Sequence, residues 1–391
     1  MTENKVMNNI KLLAWFNFLL DLRFYTPIAI LYFVSITGSF ALGMGIFSIV
    51  MLSSAIFEIP TGIFSDRIGR KKTILLGSLS TVFSVLMYAL GFNYSFLVVG
   101  AIFEGLARSF YSGNNDALLH DTLLETGNQE SFSDKKGKTD STAQMAIAVV
   151  SVAGSFLATI SFSFVFWLSL VPAILGVIVA SKIVEPQIHK EISSNIYSHL
   201  LKSVIGFIKN EKLRLLSLSS MVGYAQSEAG YLFRSAFYQS IWPIWAIGLA
   251  QGVGSIGASM SFYWSGKVIK RFGELRVVAM GKIYSITTNL ISTIFPTVIS
   301  PIIMSSNSFT FGATTTASQA LKHKEYTNEE RSTMSSLNSL LGSITFAVVA
   351  YLLGLVADYL SPAKGIMLLQ VLAFISLLIT LKLYRKEKNA I

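Results

Sequence analysis

The sequence predicts an all-α membrane protein of twelve transmembrane helices arranged as two six-helix bundles. Three observations carry this. The chain has 391 residues, of which 52% are apolar and only 13% charged, about half the charged share of a soluble domain. Its apolar runs have the length of a bilayer crossing. Its Lys and Arg residues gather in alternate connections, which sets the number of crossings.

A bilayer core needs about 20 mostly apolar residues per helix. Runs of that kind fall at 11–34, 40–63, 72–91, 94–115, 142–160, 163–183, 213–238, 244–266, 276–295, 298–320, 333–357 and 363–384. Inside hydrocarbon each backbone N–H must be paired within its own segment, so every run is expected to be helical. Pro27, Pro60, Pro172 and Pro301 then mark kinks or helix ends. The first run carries Asp21 and Arg23 and lacks a small-residue cleavage site, so it reads as a retained span rather than a signal peptide.

The connections 35–39, 92–93, 161–162, 239–243, 296–297 and 358–362 contain no Lys or Arg, and Lys364 is the one basic residue read on that side. Three of the 31 basic residues, Arg23, Arg108 and Arg234, are assigned to span interiors, and the rest to the opposite side. This segregation predicts a multi-pass protein of the cell (cytoplasmic) membrane with both termini cytoplasmic. The net charge of +10 then anchors loops beside the lipid bilayer and does not imply nucleic-acid binding.

Two polar stretches interrupt the pattern, 116–141 and 184–212. In the second, Ile196, Leu200, Leu201, Val204, Ile205 and Ile208 recur at helical spacing, which predicts an amphipathic helix on the inner membrane face. The expected organisation is an N-terminal bundle over 1–183, a linker over 184–212 and a C-terminal bundle over 213–391.

Between the second and third runs stands Gly62-Ile63-Phe64-Ser65-Asp66-Arg67-Ile68-Gly69-Arg70-Lys71-Lys72. A degenerate copy, Gly266-Lys267-Val268-Ile269-Lys270-Arg271-Phe272-Gly273, follows at a constant offset of 204 residues, with Lys270 in place of Asp66. That is the mark of an internal duplication. The glycines suit a tight turn and close helix approach. Asp66 suits a helix N-terminus, and Arg67 and Arg70 can bridge carboxylates at neighbouring helix ends.

The first of these segments resembles the signature loop of the major facilitator superfamily. The resemblance implies two bundles related by a pseudo-twofold axis, working by alternating access. It implies that Gly62, Asp66, Arg67, Gly69 and Arg70 form a gating loop that stabilises an outward-open state against the eleventh span, starting near Thr333. Asp116 is the expected partner of Arg70. The chain departs from the exporter pattern in two places. Its fifth span reads Val152-Ala153-Gly154-Ser155 without a Gly-Pro pair, and Ala101 stands where an Arg precedes Glu104-Gly105.

Charge inside the bilayer costs roughly 2.5–3.5 kcal/mol per residue, so intramembrane charges are functional candidates. Asp21 and Arg23 lie in the first span, Glu104 and Arg108 one turn apart in the fourth, Glu228 and Arg234 in the seventh, and Glu58 in the second. The resemblance places spans one, four, seven and ten around a central cavity. Asp21, Arg23, Glu104, Arg108 and Glu228 are therefore read as pathway residues, with Asn17, Tyr25, Tyr111, Asn114, Tyr224 and Asn307 adding polar or aromatic contacts. Glu104, Glu228 and Asp21 are the candidate proton carriers. The competing reading makes Asp21–Arg23 and Glu104–Arg108 neutral structural pairs.

The chain has no Cys, and its four His form no ligand spacing, so no metal site and no cofactor is expected. Gly252-Val253-Gly254-Ser255-Ile256-Gly257 lies inside a span, where it reads as a helix-packing face rather than a nucleotide loop. Gly137-Lys138-Thr139 lacks the upstream Gly of a phosphate loop. The expected function is transport, not enzymatic catalysis: secondary active export of a small-molecule substrate, drug-like or metabolite, in exchange for protons. Uptake of a charged or zwitterionic nutrient and a non-transporting sensor or scaffold are the alternatives. The resemblance implies a monomer.

Overall fold

In a computed structural model of the chain, residues 2–187, 210–325 and 331–389 are described, and every regular element among them is helical. Twelve passes follow one another. Span 1 is Thr2–Asp21 and Ala29–Thr37, joined through a short 3-10 turn at Thr26–Ile28. Span 2 is Phe40–Ile68, span 3 Arg70–Leu90, and span 4 Tyr94–Tyr111, continued by Asn114–Glu125. Span 5 is Phe132–Leu157 and span 6 Phe162–Lys182. Span 7 is Glu211–Gln239, span 8 Ile244–Phe272, and span 9 Glu274–Ile294. Span 10 is Ser300–Ser305 with Ser308–Glu325, span 11 Arg331–Tyr359, and span 12 Pro362–Asn389. The predicted amphipathic helix at 196–208 lies outside the described residues.

Seven passes are long and apolar enough to cross a membrane on length and composition alone. The others carry more polar side chains, among them Glu104 and Arg108 in span 4 and Glu228 and Arg234 in span 7.

Three predicted spans are broken rather than continuous. Span 1 leaves the α-helix after Asp21, ahead of Pro27, whose missing N–H cannot serve the Arg23 carbonyl; that carbonyl accepts from Thr26 N at 3.1 Å instead. Span 4 is interrupted at Gly113, whose φ is +69°. Span 10 is interrupted at Asn307, whose side chain serves span 9 instead: Nδ2 donates to Asn289 Oδ1 at 2.8 Å. Hydropathy does not register such breaks. The polar stretch 116–141 is largely helical, extending spans 4 and 5 beyond their apolar portions.

The signature segment is not a loop. Span 2 stays helical through Ile68, Gly69 alone leaves the helix, and span 3 starts at Arg70. The second copy repeats this. Gly69 has φ 94° and ψ 164°, and Gly273 has φ 81° and ψ 152°. Spans 2 and 8 are both 29 residues long, and spans 3 and 9 both 21, with all four boundaries displaced by the sequence offset. This backbone region is open to glycine alone. Gly62, by contrast, has no neighbour where a Cβ would stand, so the close approach is at Gly69, where the Glu185 carboxylate takes the place of a side chain.

Packing divides the described residues into two compact units. One is drawn from 1–38, 49–192 and 244–248, the other from 39–48, 193–243 and 249–391. In the first, Leu13, Phe16, Ile74, Leu118, Leu119, Leu123, Ala180 and Ile183 bury together, uniting spans 1, 3, 4 and 6. In the second, Leu216, Leu275, Val277, Val278, Ala313, Ala317, Leu321 and Leu383 unite spans 7, 9, 10 and 12. The duplication thus extends to the core. Both clusters lie at the end where Lys and Arg concentrate, here called the basic end. At the opposite end of the second unit, Asp358 caps the start of span 2, accepting from Ser39 Oγ and Phe40 N at 2.6 Å and from Ala41 N at 3.0 Å.

A Cβ on Gly69 would stand 2.7 Å from the Glu185 carboxylate, whereas one on Gly273 meets nothing within 4 Å. Gly69→Ala is therefore expected to cost more than Gly273→Ala, which carries only the backbone strain of about 1–3 kcal/mol. Thermal unfolding of the two variants in detergent, with Gly69→Ala melting lower, checks this.

Candidate functional site

The site in the first unit is built on the break in span 1. Where the helix stops, Arg23 turns back and its Nε donates to Leu20 O at 2.8 Å, serving a carbonyl near the broken end. Its Nη1 reaches span 4, 3.1 Å from Glu104 Oε1. Arg108, one turn along the same helix, brings Nη2 to 2.9 Å and Nε to 3.3 Å of that oxygen. Tyr88 of span 3 donates to Oε2 at 3.0 Å. Glu104 is 8% exposed and saturated by these donors. A carboxylate so paired is a fixed anion that joins spans 1, 3 and 4.

Asp21 differs. It is half-buried and makes no hydrogen bond or ion pair among the described residues, though it lies within the electrostatic reach of Arg23 and Arg108. Tyr25 is buried beside Arg23, its ring stacked on Phe166 at 4.6 Å and 10°. Its hydroxyl is buried and has no acceptor among the described residues. Phe166 of span 6 also packs against Tyr32, Phe33 and Tyr88, so an aromatic cluster holds both sides of the break. Gly154 of span 5 sits against the carbonyl of Phe24 so closely that no side chain fits. Asp21, Arg23, Glu104 and Arg108 together are two acids and two bases, a balanced cluster.

The other expected pathway residues of this unit stand elsewhere. Tyr111 bonds Thr81 Oγ1 at 3.0 Å and packs its ring edge on Phe16. Asn17 accepts from Asn115 Nδ2 at 3.2 Å. Asn114 belongs to the basic end, where it accepts from Ser65 Oγ at 2.8 Å and donates to Arg70 O at 3.1 Å. In the second unit, Glu228 of span 7 lies near Tyr231, over whose ring Arg234 stacks at 4.7 Å. Tyr224 is exposed beside Gly342 of span 11. Asn307 is the hinge of span 10 described above.

At the basic end the expected pair Arg70–Asp116 is corrected. Arg70 Nε lies 3.7 Å from Asp121, and Asp116 pairs with Lys136 at 2.8 Å. Five helical residues separate the two acids, turning them about 140° apart, so only Asp121 faces span 3. The carboxylate at a helix N-terminus here is Glu185, after span 6, which accepts from Arg70 N at 2.6 Å and Lys71 N at 2.7 Å. Asn9 of span 1 grips the same strip, exchanging hydrogen bonds of 2.8 and 2.9 Å with the backbone of Val184. Arg67 is exposed, and the side chain of Asp66 lies outside the described residues.

The second unit carries the counterpart with charges exchanged. Glu274, at the start of span 9, pairs with Lys324 at the basic end of span 10. Positions 70 and 274 are related by the offset of the repeat.

Residues 12–350 match the Major Facilitator Superfamily. The chain belongs to that family and is a multi-pass membrane protein. It is 29% identical over 180 residues to an uncharacterized transporter of Buchnera aphidicola subsp. Acyrthosiphon pisum, covering 44% of this chain and 42% of that one. To another, from Buchnera aphidicola subsp. Schizaphis graminum, it is 28% identical over 229 residues, 54% of each chain. The aligned part is thus about half the length of these relatives. Among solved structures, the nucleoside transporter NupG superposes with TM-score 0.80 at 12% identity over 98% of both chains. A POT family transporter in complex with 5-aminolevulinic acid superposes with TM-score 0.77 at 13% identity, covering 96% of this chain and 95% of that one. A bacterial homolog of the human lysosomal transporter Spinster gives 0.74 at 13%, over 98% and 97%. Identity this low shows the shared fold alone.

Glu104→Gln leaves two guanidinium groups without their shared counter-charge. The expected loss is about 3 kcal/mol, the scale of a broken buried pair, whereas Asp21→Asn removes no direct contact and changes stability little. Melting temperatures of the purified variants check the ranking.

Proposed function

We propose that the chain is a proton-coupled exporter of small zwitterionic or amphiphilic organic molecules, working by alternating access between bundles 1–183 and 213–391. The supporting observation is the contrast between two neighbouring carboxylates: Glu104 is fixed by two arginines and a tyrosine, and Asp21 has no direct partner among the described residues. A carboxylate without a fixed cation can bind either a proton or the ammonium group of a substrate, but not both. That competition couples the two flows in opposite directions. Arg108, whose side chain is 43% exposed, supplies the complementary charge for a substrate carboxylate. The Tyr25 hydroxyl, beside Arg23 and with no acceptor among the described residues, supplies a donor.

In this reading the basic end faces the cytoplasm, with both termini there, in the cytoplasmic membrane. The monomer is the working unit. Gly62, Asp66, Arg67, Gly69 and Arg70 form a latch at that end, with Glu185 and Asp121 holding span 3. Glu228, Tyr224 and Asn307 line the second bundle's share of the pathway. Uptake is the second reading. It draws on the fold shared with the nucleoside transporter and with the POT family transporter that holds 5-aminolevulinic acid.

Protein in liposomes with an internal pH dye, offered lipophilic cations, zwitterions, organic anions and sugars in turn, tests the proposal. A zwitterion gradient is expected to drive protons the opposite way, and Asp21→Asn is expected to abolish that movement. Protons moving with the substrate would establish uptake instead, and silence across all four classes would reject zwitterion–proton exchange.

A further inference from the structure

Span 9 carries a charge that the sequence pattern assigns to the basic-end connections. Lys282 lies in the third turn of Glu274–Ile294 and does not extend toward the helix end. Its ammonium turns inward to spans 7 and 12. Nζ is 2.7 Å from Ser219 Oγ, 2.7 Å from Ser376 Oγ and 2.9 Å from Thr380 Oγ1, with Ser376 O at 3.3 Å. No carboxylate pairs with it among the described residues.

Each hydroxyl hydrogen has an acceptor in reach other than Nζ. Ser219 Oγ donates to Ser376 O at 3.0 Å, Ser376 Oγ to Ser219 O at 2.7 Å, and Thr380 Oγ1 to Ser376 O at 2.9 Å. Each hydroxyl therefore turns a lone pair toward Nζ, and the three ammonium hydrogens meet three acceptors. Four neutral oxygens around a compact positive charge, with no anion, is the shell that a monovalent cation takes. Gly223 of span 7 leaves the passage open: a Cβ there would lie 3.9 Å from Lys282 Cε and 3.1 Å from Ser376 Oγ. Lys322, by contrast, reaches a single hydroxyl, Ser220 Oγ at 3.0 Å. At the equivalent position of span 3, 204 residues earlier, stands Ser78, which bonds its own helix at Leu75 O. The duplicated architecture therefore does not itself require a cation here.

We propose that Ser219, Ser376 and Thr380 form a monovalent-cation site between spans 7, 9 and 12, occupied by the tethered ammonium of Lys282. With that ammonium removed, the cage takes a free alkali or small alkylammonium ion. The site ties three helices of the second unit and is independent of Asp21 and Glu104.

The test is the melting temperature of full-length protein in detergent at constant ionic strength, in chloride salts of choline, sodium, potassium and methylammonium. Wild type is expected to be indifferent to the cation. Lys282→Ala is expected to melt lower in choline and to recover saturably in at least one of the three small cations. Adding Ser376→Ala and Thr380→Val to it is expected to abolish the recovery. A Lys282→Ala variant that melts like wild type in choline, or that no cation restores, overturns the proposal, as does recovery that survives loss of the hydroxyls. If Lys282→Ala yields no folded protein, acylation of wild type read by mass spectrometry decides. Lys282 is expected to react at least tenfold slower than exposed Lys138, and to lose that protection in Ser376→Ala/Thr380→Val. Equal rates in wild type overturn the cage.

Discussion

One carboxylate shared by two arginines sets the geometry of the first unit. Span 1 must break where Pro27 denies it a hydrogen bond, and a break inside a membrane protein leaves polar backbone that water does not reach. Arg23 meets part of that need at Leu20 O and ties the loose end to Glu104. Arg108 and Tyr88 complete the same carboxylate. The aromatic cluster about Phe166 and the close crossing of Gly154 on Phe24 hold the two flanks. With Glu104 consumed in this way, Asp21 is left as the acid of the cluster with no direct partner among the described residues. The same residues therefore support both the structural and the functional readings of the intramembrane charges, divided between the two acids.

The basic end obeys a second constraint, that of the duplication. Each half turns from one helix into the next at a single glycine in the same left-handed conformation, Gly69 and Gly273. Beside that glycine, each half pairs the start of one helix with the end of another. The first half uses Arg70 with Asp121, the second Glu274 with Lys324. At the helix start the charge differs in sign between the halves, Arg70 in one and Glu274 in the other. The Glu274–Lys324 pair, whose lysine is exposed, contributes at most about 1 kcal/mol, whereas Arg70 and Asp121 are largely buried.

Much of the fold was legible because the bilayer imposes simple rules. Span length and the segregation of Lys and Arg located twelve passes, and the offset of 204 residues foretold matching helix boundaries in spans 2, 3, 8 and 9. Pro27 marked the break in span 1, whereas those in spans 4 and 10 escaped because they depend on single residues, Gly113 and Asn307, that hydropathy does not register. Spacing correctly joined Glu104 to Arg108, which are one turn apart. The long-range partners were not readable. Tyr88 looks like any lipid-facing aromatic, and Glu185 like an ordinary loop acid. Choosing Asp121 over Asp116 required knowing which face of the helix Asn114–Glu125 meets span 3. Lys282 was hidden by lying near enough to the basic end to pass for an anchor.

The central claim is the division of labour between Asp21 and Glu104, and proton stoichiometry on binding tests it most directly. Calorimetric titration of a zwitterionic substrate into purified protein, in buffers of different ionisation enthalpy, counts the protons released per substrate bound. The account predicts net release near neutral pH, absent in Asp21→Asn and retained in Glu58→Gln. Release that persists undiminished in Asp21→Asn would contradict it.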